Sequence, residues 1–255
     1  MHPILECKKR NNNLKVRPII QILLAFVIVG LGWLVFSSIK KPLDFENEFV
    51  KRRDACAEKL KNIRTLEEAY KTTYGCYASD FNTLFNRLMN EDSMRVVSKQ
   101  INYSAIPADV DINEVPESEQ IKKGYMVKKE IFVNPIEKLR ADSALMITDA
   151  QTGKRRFLTD QEILDLRYVP YPLGSKDEFE LYASKLDKSG FMVPVFLCQV
   201  SFDVLLKDLQ DKYEDLIMRK KADLDARTQA NPSNPQYAGW KVGDTLQAIT
   251  DGNFE

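Results

Sequence analysis

Between Pro18 and Ile39 the chain reads PIIQILLAFVIVGLGWLVFSSI, with no charged residue and one interior amide, Gln21. As a helix rising about 1.5 Å per residue, this stretch reaches roughly 33 Å, enough to cross a hydrocarbon core about 30 Å thick. Gln21 lies near one end, where it can reach the interface, and Trp33 lies near the other, where an aromatic anchor belongs. A cleaved secretory signal would have a shorter apolar core and a following A-x-A-like site. Here Ser37 and Ser38 lead into Ile39, Lys40, Lys41 and Pro42, so the run reads as an uncleaved anchor. Lys8, Lys9, Arg10, Lys15 and Arg17 precede it against the single acid Glu6. Lys40, Lys41, Lys51, Arg52 and Arg53 follow it, but a short basic tail favours staying inside while the larger C-terminal part is exported. The expectation is a tail over residues 1–17, a transmembrane helix over 18–39 and an exported remainder.

Directly after the run, Phe49, Cys56, Ile63 and Tyr70 recur every seven residues, with Phe45, Leu60, Leu66 and Tyr74 beside them. That spacing places one apolar stripe along a long helix. Pro42 lacks an N–H and is expected to kink or interrupt the helix at the membrane exit, with Asp44 capping a restart. Gly75 suits the left-handed residue that closes a helix, and Phe81, Leu84, Phe85 and Leu88 make a second, shorter stripe. Residues 43–90 therefore read as an amphipathic helix followed by a short one. The long stripe has two uses, packing on the chain's own domain or forming a seam with a partner. Arg52 and Lys59 fill positions that a dimer seam would give to apolar side chains. As a partner interface, the candidates are Phe49, Cys56, Leu60, Ile63 and Tyr70.

The segment IRTLEEAYKTTYGCYASDFNTLF, Ile63 to Phe85, resembles the helix end of type IV pilins and type II secretion pseudopilins through Ala69, Tyr70, Tyr74, Gly75, Tyr77 and Leu84. Pilins carry a Gly followed by Phe or Met, and an acid five residues into the mature chain. Arg17-Pro18-Ile19 stands at the equivalent place, so the resemblance stops short of the processing site. Across nearly the whole chain, LDFENE, KLKNIRTLEEAYK, YGCY, LRYVPY, FELYAS, VPVFLC, GWKVGD and GNFE occur in an order similar to uncharacterised single-pass envelope proteins of Gram-negative anaerobes. These resemblances imply an inner-membrane anchor, a periplasmic domain and a pilin-like architecture. They imply no activity.

Residues 91–255 read as a mixed domain. The 90–120 stretch is polar, with Pro107, Pro116, Glu114, Glu117 and Glu119, and reads as a surface loop with a short helix. Tyr125–Val133 suits a strand, and ALMITDA with RRFL around Gln151-Thr152-Gly153-Lys154 suits a hairpin. RYVPYP, FELYAS and FMVPVFLCQV form the clearest β unit, turning at Leu186 to Gly190. Val193, Val195 and Leu197 alternate, Phe196 and Cys198 point to burial of both faces, and Pro194 marks an edge or bulge. Ser201 caps a last helix from Phe202 to about Ala226, carrying Leu205, Leu206, Leu209, Tyr213, Leu216 and Ile217 on one face. The tail after it is loop-like, with Trp240, Val242 and Leu246 able to dock. The expected fold is α+β: a transmembrane helix, a long pilin-like helix packed on a small antiparallel sheet, and a C-terminal helix.

Composition narrows the chemistry. The 255 residues hold 37 Lys and Arg against 37 Asp and Glu, so no global charge recruits nucleic acid, and the basic run RKKADLDAR is interleaved with acids. The one histidine is His2, in the tail, which leaves the exported part without a histidine for a catalytic triad or a metal. No phosphate-binding loop appears, and Glu67 and Glu68, adjacent on a helix, read as solvated rather than as a paired site. No catalytic, cofactor or metal residue is assigned. Cys7 would face a reducing compartment, and Cys56 and Cys76 would stand about 30 Å apart along a helix. Cys76 with Cys198 is the one disulfide to entertain, free thiols being the default.

The expected function is a noncatalytic structural or assembly subunit of an envelope complex. It would lie in the inner membrane and contact other envelope proteins or copies of itself, with neither nucleic acid nor a small-molecule substrate. Two alternatives are a ligand-binding or sensory ectodomain and a membrane-tethered hydrolase using two convergent carboxylates.

Overall fold

A computed structural model describes residues 16–149 and 152–254. The N-terminal tail, with His2 and Cys7, and Gln151 of the hairpin turn lie outside the described residues. The chain is organised by one helix, α1 (Val16–Tyr74), of 59 residues. It is the one described helix long and apolar enough to span a bilayer, and its apolar side chains from Ile20 to Leu43 are almost all exposed. From Phe45 onward the same helix becomes the spine of an α+β domain.

Contrary to expectation, α1 runs through Pro42 without a break, and Asp44 caps nothing. Proline costs about 3 kcal/mol inside a helix, largely through one missing hydrogen bond and a clash with the preceding turn. Ser38, whose carbonyl loses its donor, is exposed, so a solvating group can replace the lost bond. Phe45 and Phe49, one and two turns on, are buried in the domain and hold the helix in phase. Lys41 adds an ion pair to Asp215 at 2.8 Å.

The end of α1 follows the sequence reading. Gly75 takes φ 75° and donates to the Lys71 carbonyl at 2.8 Å. Asp80 then caps α2 (Phe81–Asn90) by accepting from the Thr83 N–H at 2.8 Å, and Phe81, Leu84, Phe85 and Leu88 are buried.

The polar 90–120 stretch is not simply loop. Its first part is β1 (Met94–Ile101), antiparallel to β2 (Met126–Val133) from Met94–Val133 to Ile101–Met126, with the short α3 (Glu117–Lys122) between them. No apolar alternation announces β1, because both faces of this ribbon are largely exposed and its ladder comes from the partner strand. After α4 (Pro135–Ala141), β3 (Met146–Thr148) and β4 (Arg155–Phe157) form the expected hairpin, and α5 (Asp160–Leu164) follows behind a Thr159–Glu162 capping box.

RYVPYP is not a strand. It passes from a short 3-10 turn through a single bridge, Tyr168–Glu178, and a cis Tyr171–Pro172 bond; Pro170 and Pro172 can donate nothing to a ladder. The main sheet is β5 (Glu180–Lys188), β6 (Phe191–Ser201) and β7 (Gly239–Gly243), with β6 central. Ser189 and Gly190 both take positive φ, 54° and 87°, the two-residue turn that matches strand twist. Pro194 faces Lys185 in β5, while β7 covers only Leu197 to Ser201, so the proline's other side is an open edge. The buried face of β6 is Phe196, Cys198 and Val200, joined from the other face by Val195; Val193 and Leu197 are half-buried.

The single C-terminal helix expected from Ser201 onward is instead two, α6 (Phe202–Leu205) and α7 (Gln210–Ala230), with a 3-10 turn between them. The loop-like tail supplies β7, so Trp240 and Val242 dock as strand residues while Leu246 stays exposed. Strand β7 runs tight against its neighbour: a Cβ on Gly239 would sit 2.1 Å from the Val200 carbonyl oxygen, and one on Gly243 would sit 2.3 Å from that of Phe196.

Candidate functional site

The stripe proposed as a partner interface is internal. Phe49, Cys56, Leu60, Ile63 and Tyr70 all belong to one buried cluster with Phe196, Cys198, Val200, Phe202 and Val242. Phe49 closes a ring cluster with Phe202 and Trp240, at centroid distances of 5.3 and 5.6 Å. A partner cannot reach these five side chains while the domain is folded, which corrects the interface reading. The cover comes from α2, β6, α6 and α7 together with β7, a strand formed by residues read as tail.

The polar residues within and beside the stripe fix the helix to the domain. The Arg52 guanidinium, itself buried, donates to both Asp208 carboxylate oxygens at 2.6 and 2.7 Å and to the Leu205 carbonyl at 2.7 Å, and lies 4.8 Å from the Tyr171 ring centre. This holds the Asp208 carboxyl below the usual carboxylate range. One heptad on, the Lys59 amine donates to the carbonyls of Asp165 and Tyr168, both at 2.8 Å, and burial lowers its pKa. Glu58 accepts the Thr148 N–H at 2.7 Å and Asn62 donates to the Met146 carbonyl at 3.2 Å, which satisfies an edge of the β3–β4 hairpin. In the sequence, Arg52 and Lys59 stand as interruptions of a seam. Their seven-residue spacing was the available signal that this edge of α1 meets backbone carbonyls.

Glu67 overturns the reading of Glu67 and Glu68 as solvated. Glu68 is exposed, but Glu67 is wholly buried; one oxygen accepts the Ala78 N–H at 2.9 Å and the other has no hydrogen-bond partner. Desolvation pushes its pKa up to about 8. Cys76 and Cys198 are free thiols, not a disulfide. Cys198 and Cys56 lie in the core, where burial raises both pKa values, that of Cys56 to about 12. Neither is an activated nucleophile.

Several clefts open on the surface of the described residues, and two of them border the buried stripe of α1. A groove of about 740 Å³ runs along α1 between the β3–β4 hairpin and the chain end, lined by Arg53, Asp54, Lys61, Arg155 and Phe254. A second, of about 270 Å³, lies where Phe49, Phe202 and Trp240 meet Lys220 and Arg227 of α7. Several of their charges are matched within the chain: Arg53 pairs with Asp54, Lys220 with Glu46 and Arg227 with Asp223. No group of three or more His, Cys, Asp or Glu side chains comes together to hold a metal among the described residues.

Compared with family models, curated proteins and solved structures, the chain matches none of them.

Proposed function

We propose that this chain is a noncatalytic, membrane-anchored subunit of an envelope assembly, with its tail in the cytoplasm and its α+β domain in the periplasm. The observation that carries this reading is the continuity of α1. One helix is exposed and apolar from Ile20 to Ile39 and becomes the spine of the domain from Phe45 on, with no linker between them. A tether for an enzyme needs only reach. A rigid rod fixes the domain's height and rotation relative to the bilayer, which matters when neighbours must register with it. The resemblance to pilins and pseudopilins over Ile63 to Phe85 supports the same layout; the basic tail supports the orientation, and the periplasmic compartment is what the resemblance to Gram-negative envelope proteins implies.

The test is amine crosslinking of the intact protein in isolated membranes, paired with a reporter fused to each end in turn. The expected result is crosslinked species larger than the monomer, an inactive reporter for export at residue 1 and an active one at residue 255. A protein that fractionates away from membranes, or that stays monomeric across crosslinker lengths, overturns the reading.

A further inference from the structure

We infer that the free edge of β2 pairs with the same edge of a second copy of this chain, joining two β1–β2 ribbons into one four-stranded antiparallel sheet. This rests on the assembly reading above and names its contact. The ribbon is the longer of two two-stranded sheets among the described residues. It pairs only with itself, and isolated two-stranded ribbons are marginal in water until further strands or a helix complete them. Helix α3 crosses one face, where Glu117 takes Lys99 at 2.8 Å and Lys128 at 3.2 Å, one lysine from each strand. Beyond that, Phe132 is 63% and Val127 49% exposed.

The hydrogen-bond phase shows which backbone groups are free. The Asn102 N–H donates to the Tyr125 carbonyl at 2.7 Å, one step past the paired strands and in the same register. Hydrogen-bonded pairs therefore recur at Gln100–Val127, Ser98–Lys129 and Val96–Ile131. Met126, Lys128, Glu130 and Phe132 turn their N–H and C=O groups the other way, to the open edge.

The sequence of that edge, MVKKEIFV, is self-complementary about Lys129 in a register this phase allows. With a two-fold axis at Lys129, Lys128 faces Glu130 of the second copy, Val127 faces Ile131, and Met126 faces Phe132, each contact made twice. The one like-charge pair, Lys129 with its copy, falls on the face away from α3, where both amines reach solvent. On β1 the equivalent register is centred on Ser98, the residue opposite Lys129, and sets Val97 against Lys99 and Arg95 against Ile101, with no opposite-charge pair. Charge complementarity therefore selects the β2 edge and an identical partner.

The experiment is oxidative crosslinking of the full-length protein in its own membranes. Lys129→Cys sets two thiols across the axis at a close, non-hydrogen-bonded pair and is expected to give a disulfide dimer at least tenfold above Lys128→Cys, whose side chain faces a different residue. The unsubstituted chain controls for its own four cysteines. Without oxidant, Lys128→Glu and Glu130→Lys should each reduce the dimer fraction, and the two together should restore it. An assembly in which Lys129→Cys forms no disulfide on oxidation, or a double variant no better than the singles, overturns the β2 pairing and leaves the assembly reading standing. A monomer under all conditions overturns both.

Discussion

Glu67 is where the chain departs furthest from what its composition suggests. A carboxyl group on an amphipathic helix ordinarily faces water, yet this one sits in the core with one oxygen on the Ala78 N–H and the other unpartnered. Its pKa is about 8 in the folded state against 4.5 for an unperturbed group, so between those values the folded protein holds a proton that the unfolded chain has lost. The stabilising term is fully present below the unfolded value and is lost as pH rises to about 8. Denaturation midpoints should therefore fall across that window, with a slope approaching about 1.4 kcal/mol per pH unit from this group. Glu67→Gln, which cannot ionise, should flatten the profile; a slope unchanged by the substitution would mean that Glu67 is not its source. Arg52 is the second such residue. Arg52→Ala strands the Leu205 carbonyl and the Asp208 carboxylate, and because Asp208 is partly exposed the loss should be about 1–3 kcal/mol, read by urea denaturation of the detergent-solubilised protein. Arg52→Lys should recover only part of it, since an ammonium cannot reproduce the two-pronged contact.

At the scale of elements, the apolar periodicity of α1 was legible because a helix buried on one side must repeat its large residues near 3.6 and 3.5. Gly75, the α2 stripe and the Ser189–Gly190 turn were equally open to reading, since each satisfies a local backbone requirement. β1 and β7 were not. MRVVSKQI has little to bury, and GWKVG reads as tail because its strand character comes from β6 alongside it. That missed strand is one of the elements that close the domain over the stripe. An Ile63→Asp change should accordingly cost about 4 kcal/mol or more by burying an unpaired carboxylate, and should unfold the domain rather than selectively dissolve an assembly. Loss of the near-UV circular dichroism signal would report it. Gly243→Ala tests β7 directly: the residue has φ 76° and its new methyl would lie 2.3 Å from a backbone oxygen, so destabilisation above about 2 kcal/mol is expected. A thermal midpoint within error of the parent would show that β7 can move aside and that the stripe is less enclosed than its burial implies.

At the scale of the whole molecule, the apolar half of α1 and the folded half share one axis, and rotation about it is a defined quantity. Each residue added to an α-helix turns everything beyond it by about 100° and lifts it by about 1.5 Å. Alanines inserted immediately before Lys40 fall where the helix is exposed on all sides, so the domain's own packing, from Phe45 on, is untouched. Two inserted alanines should turn the domain by about 200° relative to the span, whereas seven should return it to within about 20° of its original bearing and lift it about 10 Å. If neighbours register through a rigid rod, crosslinked assemblies in membranes should be lost with two alanines and recover with seven, while the thermal midpoint stays constant throughout. If Pro42 acts as a swivel, the two insertions should behave alike. The chain gives reason to expect the first outcome: α1 runs unbroken through Pro42, and Lys41, on its N-terminal side, reaches Asp215 of the domain, so bending at Pro42 would strain that contact.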